Sequence, residues 1–103
     1  MRLNEKEVVF MEKLNKVDGV NKGKIIIFTL STCIWCRKTK NLLHDLGVEY
    51  YYIDMDELEK ELEEQYKEEL KKWNPLKSYP TIVINDKTCI VGYDEDKIRK
   101  ELE

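Results

Sequence analysis

The run Ile25-Ile26-Ile27-Phe28-Thr29-Leu30 is apolar and rich in β-branched residues, and it gives way at once to Ser31-Thr32 and a stretch of helical character. It reads as a buried strand over 24–30, the Ser-Thr pair as a turn, and the stretch after it as a helix over about 33–46. Leu42, Leu43 and Leu46 give that helix one apolar side to lay on a sheet, and Gly47 stands where a C-cap belongs. Val48 to Ile53 forms a second strand. A strand, a helix and a strand joined by short connections make a βαβ unit, so the two strands are expected to be parallel with a right-handed crossover.

The rest of the chain supplies elements to complete an α/β layer structure. Residues 3–17 place Val8, Met11 and Leu14, and Phe10, Leu14 and Val17, at spacings of three and four, which predicts an amphipathic helix ended by Asp18-Gly19 and by Asn21 to Gly23. A second, charged helix is predicted over about 56–73, its apolar edge made by Leu58, Leu62, Tyr66, Leu70 and Trp73. Asn74-Pro75 stops it, because proline pushes its predecessor out of the helical region. Thr81 to Ile84 and Thr88 to Val91, either side of Asn85-Asp86-Lys87, make a β-hairpin, and Asp94 can cap a last helix that docks through Ile98 and Leu102. Tyr50, Tyr51 and Tyr52 are expected to pack in the sheet. The order is α-βαβ-α-ββ-α, a mixed four-stranded sheet flanked by helices, in one domain of residues 1–103: an N-terminal helical extension over 1–23 and a core over 24–103.

Size and charge narrow the classes of function. A chain of 103 residues suits one modest core. Charged residues make up 38% of it yet the net charge is only -3, so both signs are interspersed and no nucleic-acid surface is expected. No apolar stretch approaches the ~18–20 residues of a membrane span, and the opening Met1 to Glu7 lacks the apolar segment of a signal peptide. A soluble, cytoplasmic monomer is expected. Three cysteines, an odd count, argue against a disulfide-stapled fold.

The chemistry concentrates at Cys33 and Cys36. Cys33 falls where strand hands over to helix. Unsatisfied N–H groups and the helix dipole favour a negative charge there, and thiols in such C-x-x-C settings drop from about 8.5 to roughly 3.5–7.5 in pKa. Cys33 is the candidate nucleophile, and Cys36, one turn on, the candidate resolving thiol that attacks a mixed disulfide on Cys33. Arg37, Lys38 and Lys40 add positive potential, with no acidic residue before Asp45. Two cysteines alone are too few ligands for a metal site, and His44, mid-helix, is expected at the surface rather than as a third ligand. Cys89 reads as a small hydrophobe. Trp35, between the cysteines, is expected to lie exposed beside the reactive sulfur as a docking contact for protein substrates.

Taken together, the Phe28 to Cys36 segment, the Ser78-Tyr79-Pro80-Thr81-Ile82-Val83-Ile84 segment and Val91-Gly92-Tyr93-Asp94-Glu95 resemble the glutaredoxin branch of the thioredoxin superfamily over roughly residues 24–102. The resemblance implies a thioredoxin-like fold and a thiol–disulfide oxidoreductase working through a redox-active Cys33–Cys36 disulfide, with no tightly bound cofactor. It also implies a cis Pro80 beside the cysteines, with the backbone of Tyr79 offering hydrogen bonds to an extended substrate. Glutathione-using members carry a Lys where this chain has Leu30, a Pro-Tyr pair where it has Ile34-Trp35, and two glycines where it has Val91-Gly92. Lys77, facing a carboxylate, and Asp94, near an amino group, are the positions that match a glutathione site. The pattern is closer to glutaredoxin-like proteins of archaea and anaerobes, which implies disulfide-containing protein substrates and, as reductant, glutathione, another low-molecular-weight thiol or a thioredoxin-reductase-type enzyme. An iron–sulfur or metal-binding module shared across a dimer, as in some glutaredoxin relatives, is the alternative.

Overall fold

Successive side chains of a strand point to opposite faces, so a strand with four apolar residues in a row needs cover on both sides. In the computed structural model, which describes residues 13–103, Ile25–Thr29 is such a strand and every one of its residues is buried. In chain order the elements are β1 (Asn15–Val17), β2 (Ile25–Thr29), α1 (Ile34–Asp45), β3 (Tyr50–Asp54), a 3-10 turn (Met55–Glu57), α2 (Lys60–Trp73), β4 (Thr81–Ile84), β5 (Thr88–Val91) and α3 (Glu95–Leu102). The sheet order is β1-β3-β2-β4-β5. β2 and β3 are parallel, as the βαβ reading requires, and the other pairings are antiparallel.

Both faces of β2 are covered by different helices. Ile25 and Ile27 join Leu42 and Leu43 of α1 and Ile98 and Leu102 of α3 in one cluster, while Ile26 and Phe28 join Tyr66 and Leu70 of α2 in the other. The three tyrosines alternate in the same way: Tyr50 and Tyr52 lie with the α1 and α3 side and Tyr51 with the α2 side. The sheet-packing expectation for them holds. The hairpin closes through the three residues Asn85-Asp86-Lys87, with Ile84 paired to Thr88; Asn85 and Asp86 take positive φ (55° and 51°), and Lys87 donates its N–H to the Ile84 carbonyl at 3.1 Å. Gly47 (φ 69°) donates its N–H to the His44 carbonyl at 3.0 Å and ends α1 as expected.

Two expectations are corrected. The sheet has five strands, because Asn15–Val17, expected to be the end of an N-terminal helix, pairs antiparallel with β3 at Asn15–Tyr52, Lys16–Tyr51 and Val17–Tyr50. A helix would bring Leu14 and Val17 to one face, whereas the strand sends Leu14 to the α2 cluster and Val17 to the α1 and α3 cluster. The remainder of that predicted helix, residues 3–12, lies outside the described residues. The helix predicted over 56–73 is broken near its start: Met55–Glu57 is a separate 3-10 turn, Leu58 and Glu59 are extended, and the α-helix begins at Lys60.

β4 runs antiparallel to β2, so its first residue Thr81 lies opposite Phe28 near the end of β2. The loop ahead of β4 therefore meets the loop behind β2.

Candidate active site

Cys33 is the N-cap of α1, with extended backbone (φ -85°, ψ 119°), and its Sγ accepts the Cys36 N–H at 3.2 Å. A sulfur stands here where a cap oxygen usually satisfies one of the four unpaired N–H groups of a helix start. No acidic residue occupies the first turn, and Arg37 and Lys38 are exposed beside it. The two thiols are unlinked; Cys33 is half-buried and Cys36 is 1% exposed. Burial, with the hydrogen bond to Cys33, pushes the Cys36 thiol up to about 12, against the opposing pull of a Leu30 backbone hydrogen bond and the Lys40 ammonium. The more accessible sulfur and the buried one are thus separated by position.

The turn that presents Cys33 is tied down from across the fold. Ser31 donates its N–H to Asp56 Oδ1 at 2.8 Å and its hydroxyl to Asp56 Oδ2, and these bonds hold the Asp56 carboxyl below its usual range. Asp56 belongs to the 3-10 turn after β3. Nothing in the sequence marks it, because its partner is 25 positions away.

The other wall is the segment ahead of β4. The Tyr79–Pro80 peptide bond is cis, as the resemblance implied. Its loop is organised by the buried Asn74, whose Nδ2 donates to Ser78 O (3.3 Å), Ser78 Oγ (2.9 Å) and Thr81 Oγ1 (3.0 Å), while its Oδ1 accepts the Leu76 N–H (3.1 Å). In the sequence Asn74 marks only a helix stop. The half-buried Tyr79 has its phenol pushed up by burial and by the nearby Glu63, Cys36 and Asp56, which puts it in the electrostatic neighbourhood of the buried thiol.

Between these walls lies a cavity of about 360 Å³, lined by Leu30, Met55 and Tyr79 with Asp56, Glu63, Lys67 and Lys77. Glu63 and Lys67 pair across one helical turn at 3.2 Å. Lys77 is exposed and has φ 50°. Asp94 is not in this cavity: it caps α3, accepting the Lys97 N–H at 3.1 Å, as its cap role predicts. Gly92 donates its N–H to Pro80 O at 2.8 Å, so the segment leading to Asp94 is nonetheless fastened to the cis-proline loop. Trp35 is 51% exposed, stacks on Tyr93 (5.8 Å between centroids, 26° between planes) and carries Lys38 Nζ 4.6 Å over its ring. The sequence anticipated the exposure of Trp35 but not its partner.

The remaining candidates fall away from the site. His44 is exposed, and Cys89 is half-buried, its thiol donating to the Trp73 carbonyl at 3.6 Å. Among the described residues no group of three or more His, Cys, Asp or Glu is placed to hold a metal ion, and no helix is long and apolar enough to cross a membrane.

Comparison with known proteins follows the same geometry. The glutaredoxin family model matches residues 25–89, from the start of β2 into β5. The glutaredoxin of Methanosarcina mazei Go1 is 50% identical, with 87% of each chain covered and a TM-score of 0.81. Methanosarcina acetivorans methanoredoxin is 43% identical over 87% of this chain and 96% of its own, with a TM-score of 0.84. Bovine mitochondrial glutaredoxin-2 is 28% identical over 84 residues, and the chain spans about half the length of that relative (52%). The family match takes in β2, β3 and β4 and both cysteines, and on it the chain belongs to the glutaredoxin family.

Proposed function

We propose that this chain is a dithiol carrier with the thiol–disulfide oxidoreductase activity of its family, reducing protein disulfides through Cys33 and Cys36. One observation carries the reading: Cys33 Sγ caps α1 and accepts the Cys36 N–H at 3.2 Å, with the Cys36 thiol buried behind it. Cys33 attacks one sulfur of a substrate disulfide; that S–S bond breaks and its electron pair leaves on the other substrate sulfur, which takes a proton from water. Cys36 then attacks Cys33 Sγ, and the second substrate sulfur departs with the electron pair of the mixed disulfide. The substrate gains two electrons and the protein is left with a Cys33–Cys36 disulfide, which a reductant must open.

Exposed Ile34 and Trp35 next to Cys33 suit a protein surface better than a small, highly charged thiol. The backbone of Tyr79 beside Pro80 is the partner for an extended substrate strand. Lys77 and Asp94 are the groups that would engage a thiol donor carrying both a carboxylate and an amine, and Asp94 already serves α3 as its cap. A reducing compartment such as the cytoplasm is where this carrier works. The test is insulin-disulfide reduction with electrons from glutathione and its reductase, in parallel with a thioredoxin-reductase-type donor. Turnover with glutathione assigns Lys77 and Asp94 to that ligand; turnover only with the second donor makes the chain a thioredoxin-like carrier; no turnover with either refutes the carrier reading for both donors.

A further inference from the structure

Cys36 has the harder task in this scheme, because a thiol this buried must lose its proton before it attacks. One cation of α1 is built inward. Lys40 follows Cys36 by one helical turn, its side chain is 24% exposed, and helical side chains lean toward the N-terminus, which carries it back toward Cys36. Its Nζ is held from two sides, 3.3 Å from Asp54 Oδ1 and 3.9 Å from the centroid of the Tyr52 ring. Asp54, 12% exposed, is in turn fixed by the Thr29 hydroxyl, which donates to its Oδ1 at 2.6 Å. Arg37 and Lys38, on the same helix, face solvent. An ion pair drawn this far inward adds little to stability once desolvation is counted, so its placement calls for another role.

We propose that Lys40, held by Asp54, Thr29 and Tyr52, is a positioning residue for the resolving step, its ammonium stabilising the Cys36 thiolate as it forms. The inference rests on the dithiol reading above. The titratable and charged groups around Cys36 are Cys33 on its own turn, Lys40 one turn on, Asp54 at the end of β3, Asp56 in the turn after it, and Tyr79 ahead of β4 with Glu63 of α2 behind it. Behind burial and the hydrogen bonds, Lys40 is the cation among the groups acting on the Cys36 thiol, and it acts in the same direction on Asp56. In the step itself the Cys36 proton passes to water, the Cys36–Cys33 bond forms, the Cys33–substrate bond breaks, and the substrate sulfur leaves with the electron pair.

The experiment uses an aryl disulfide (5,5'-dithiobis-2-nitrobenzoate) on the reduced chain carrying Cys89→Ala, so that the third thiol is silent. The first thionitrobenzoate released reports attack by Cys33, and the second reports attack by Cys36. Lys40→Gln keeps a neutral donor toward Asp54 and removes only the charge. Loss of a neighbouring cation raises a thiol by about 1–3 pKa units, and the gain in nucleophilicity returns roughly half of the logarithm of the lost thiolate. The second release is therefore expected to slow about 3- to 30-fold at pH 7, with its pH–rate profile displaced to higher pH and the first release within about twofold of the parent. Lys40→Arg is expected to restore the second release. Should Lys40→Gln fail to fold by circular dichroism, Lys40→Met with Asp54→Asn removes both charges together and is expected to show the same selective slowing. An unchanged second release, or equal slowing of both releases, overturns the proposal. A parent chain that releases a single thionitrobenzoate overturns the dithiol reading and this inference with it.

Discussion

Asn74 is the residue on which the loop carrying Tyr79 and Pro80 depends, and Asn74→Ala puts a number on that dependence. The wild-type amide makes four contacts. Three are with the exposed residues Ser78 and Leu76, where water can take over, and these contribute about 0.5 kcal/mol each. The fourth, to the fully buried Thr81 hydroxyl, has no water to replace it and contributes about 0.5–1.5 kcal/mol. The sum is about 2–3 kcal/mol. Globular chains unfold with about 2.1 cal/mol/K per residue, roughly 0.2 kcal/mol per degree for 103 residues, so Tm is expected to fall by about 9–14 °C. Thermal and urea unfolding followed by circular dichroism give both quantities. Asn74→Asp is the informative companion: it can still accept the Leu76 N–H, but it faces the Ser78 carbonyl with an acceptor and is expected to lose at least as much stability at pH 7. Insulin reduction, measured well below either transition, should fall too, because the Tyr79 backbone is no longer held. A loss below about 0.5 kcal/mol for Asn74→Ala, or wild-type stability for Asn74→Asp, would show that the loop is held by something other than this amide.

Cys33→Ser is expected to abolish all reductase activity, whereas Cys36→Ser traps mixed disulfides visible by mass spectrometry and keeps monothiol chemistry only; the reverse pattern exchanges the two roles. Trp35→Ala should lower kcat/KM for insulin about tenfold, the scale of an interface anchor, while sparing a small disulfide, and equal losses on both would count against a docking role. Asp56 is held below the ordinary carboxyl value, first by the Ser31 hydroxyl. A carboxylate depressed in the fold contributes stability above its unfolded pKa of about 3.9 and loses it as pH falls through the folded value. Tm of the wild type should therefore drop more steeply below about pH 4 than that of Asp56→Asn, and parallel pH profiles would refute the Ser31–Asp56 tie.

What the sequence disclosed is what is decided locally. Cys33 at a helix start, Gly47 after a helix end and Asp94 ahead of a helix are each read within four or five residues, and each is where the local pattern puts it. The βαβ order and the alternation of β2 follow from periodicity alone. The contacts that shape the site are of another kind. Ser31–Asp56 spans 25 positions and Lys40–Asp54 spans 14, and no local preference of serine, lysine or aspartate announces either partner. Asn74 next to a proline looked like punctuation, because a helix stop explains it without the hydrogen bonds it makes on the far side of the turn. β1 is hidden in the sequence because spacings of three and four in an amphipathic segment cannot distinguish one helical face from two strand faces when only Leu14 and Val17 are at issue.

That short strand has a consequence for how the chain is cut. The family match begins at residue 25, which makes 25 the natural start for a minimal version of the protein. Such a truncation would remove β1 and the contacts of Val20 with Gly47 and Glu49, and would leave β3 as an open edge carrying three consecutive tyrosines and an unpaired row of backbone groups. An uncapped aromatic edge is a template for another copy of itself. Three residues outside the matched region thus keep the parallel half of the sheet from offering itself for aggregation.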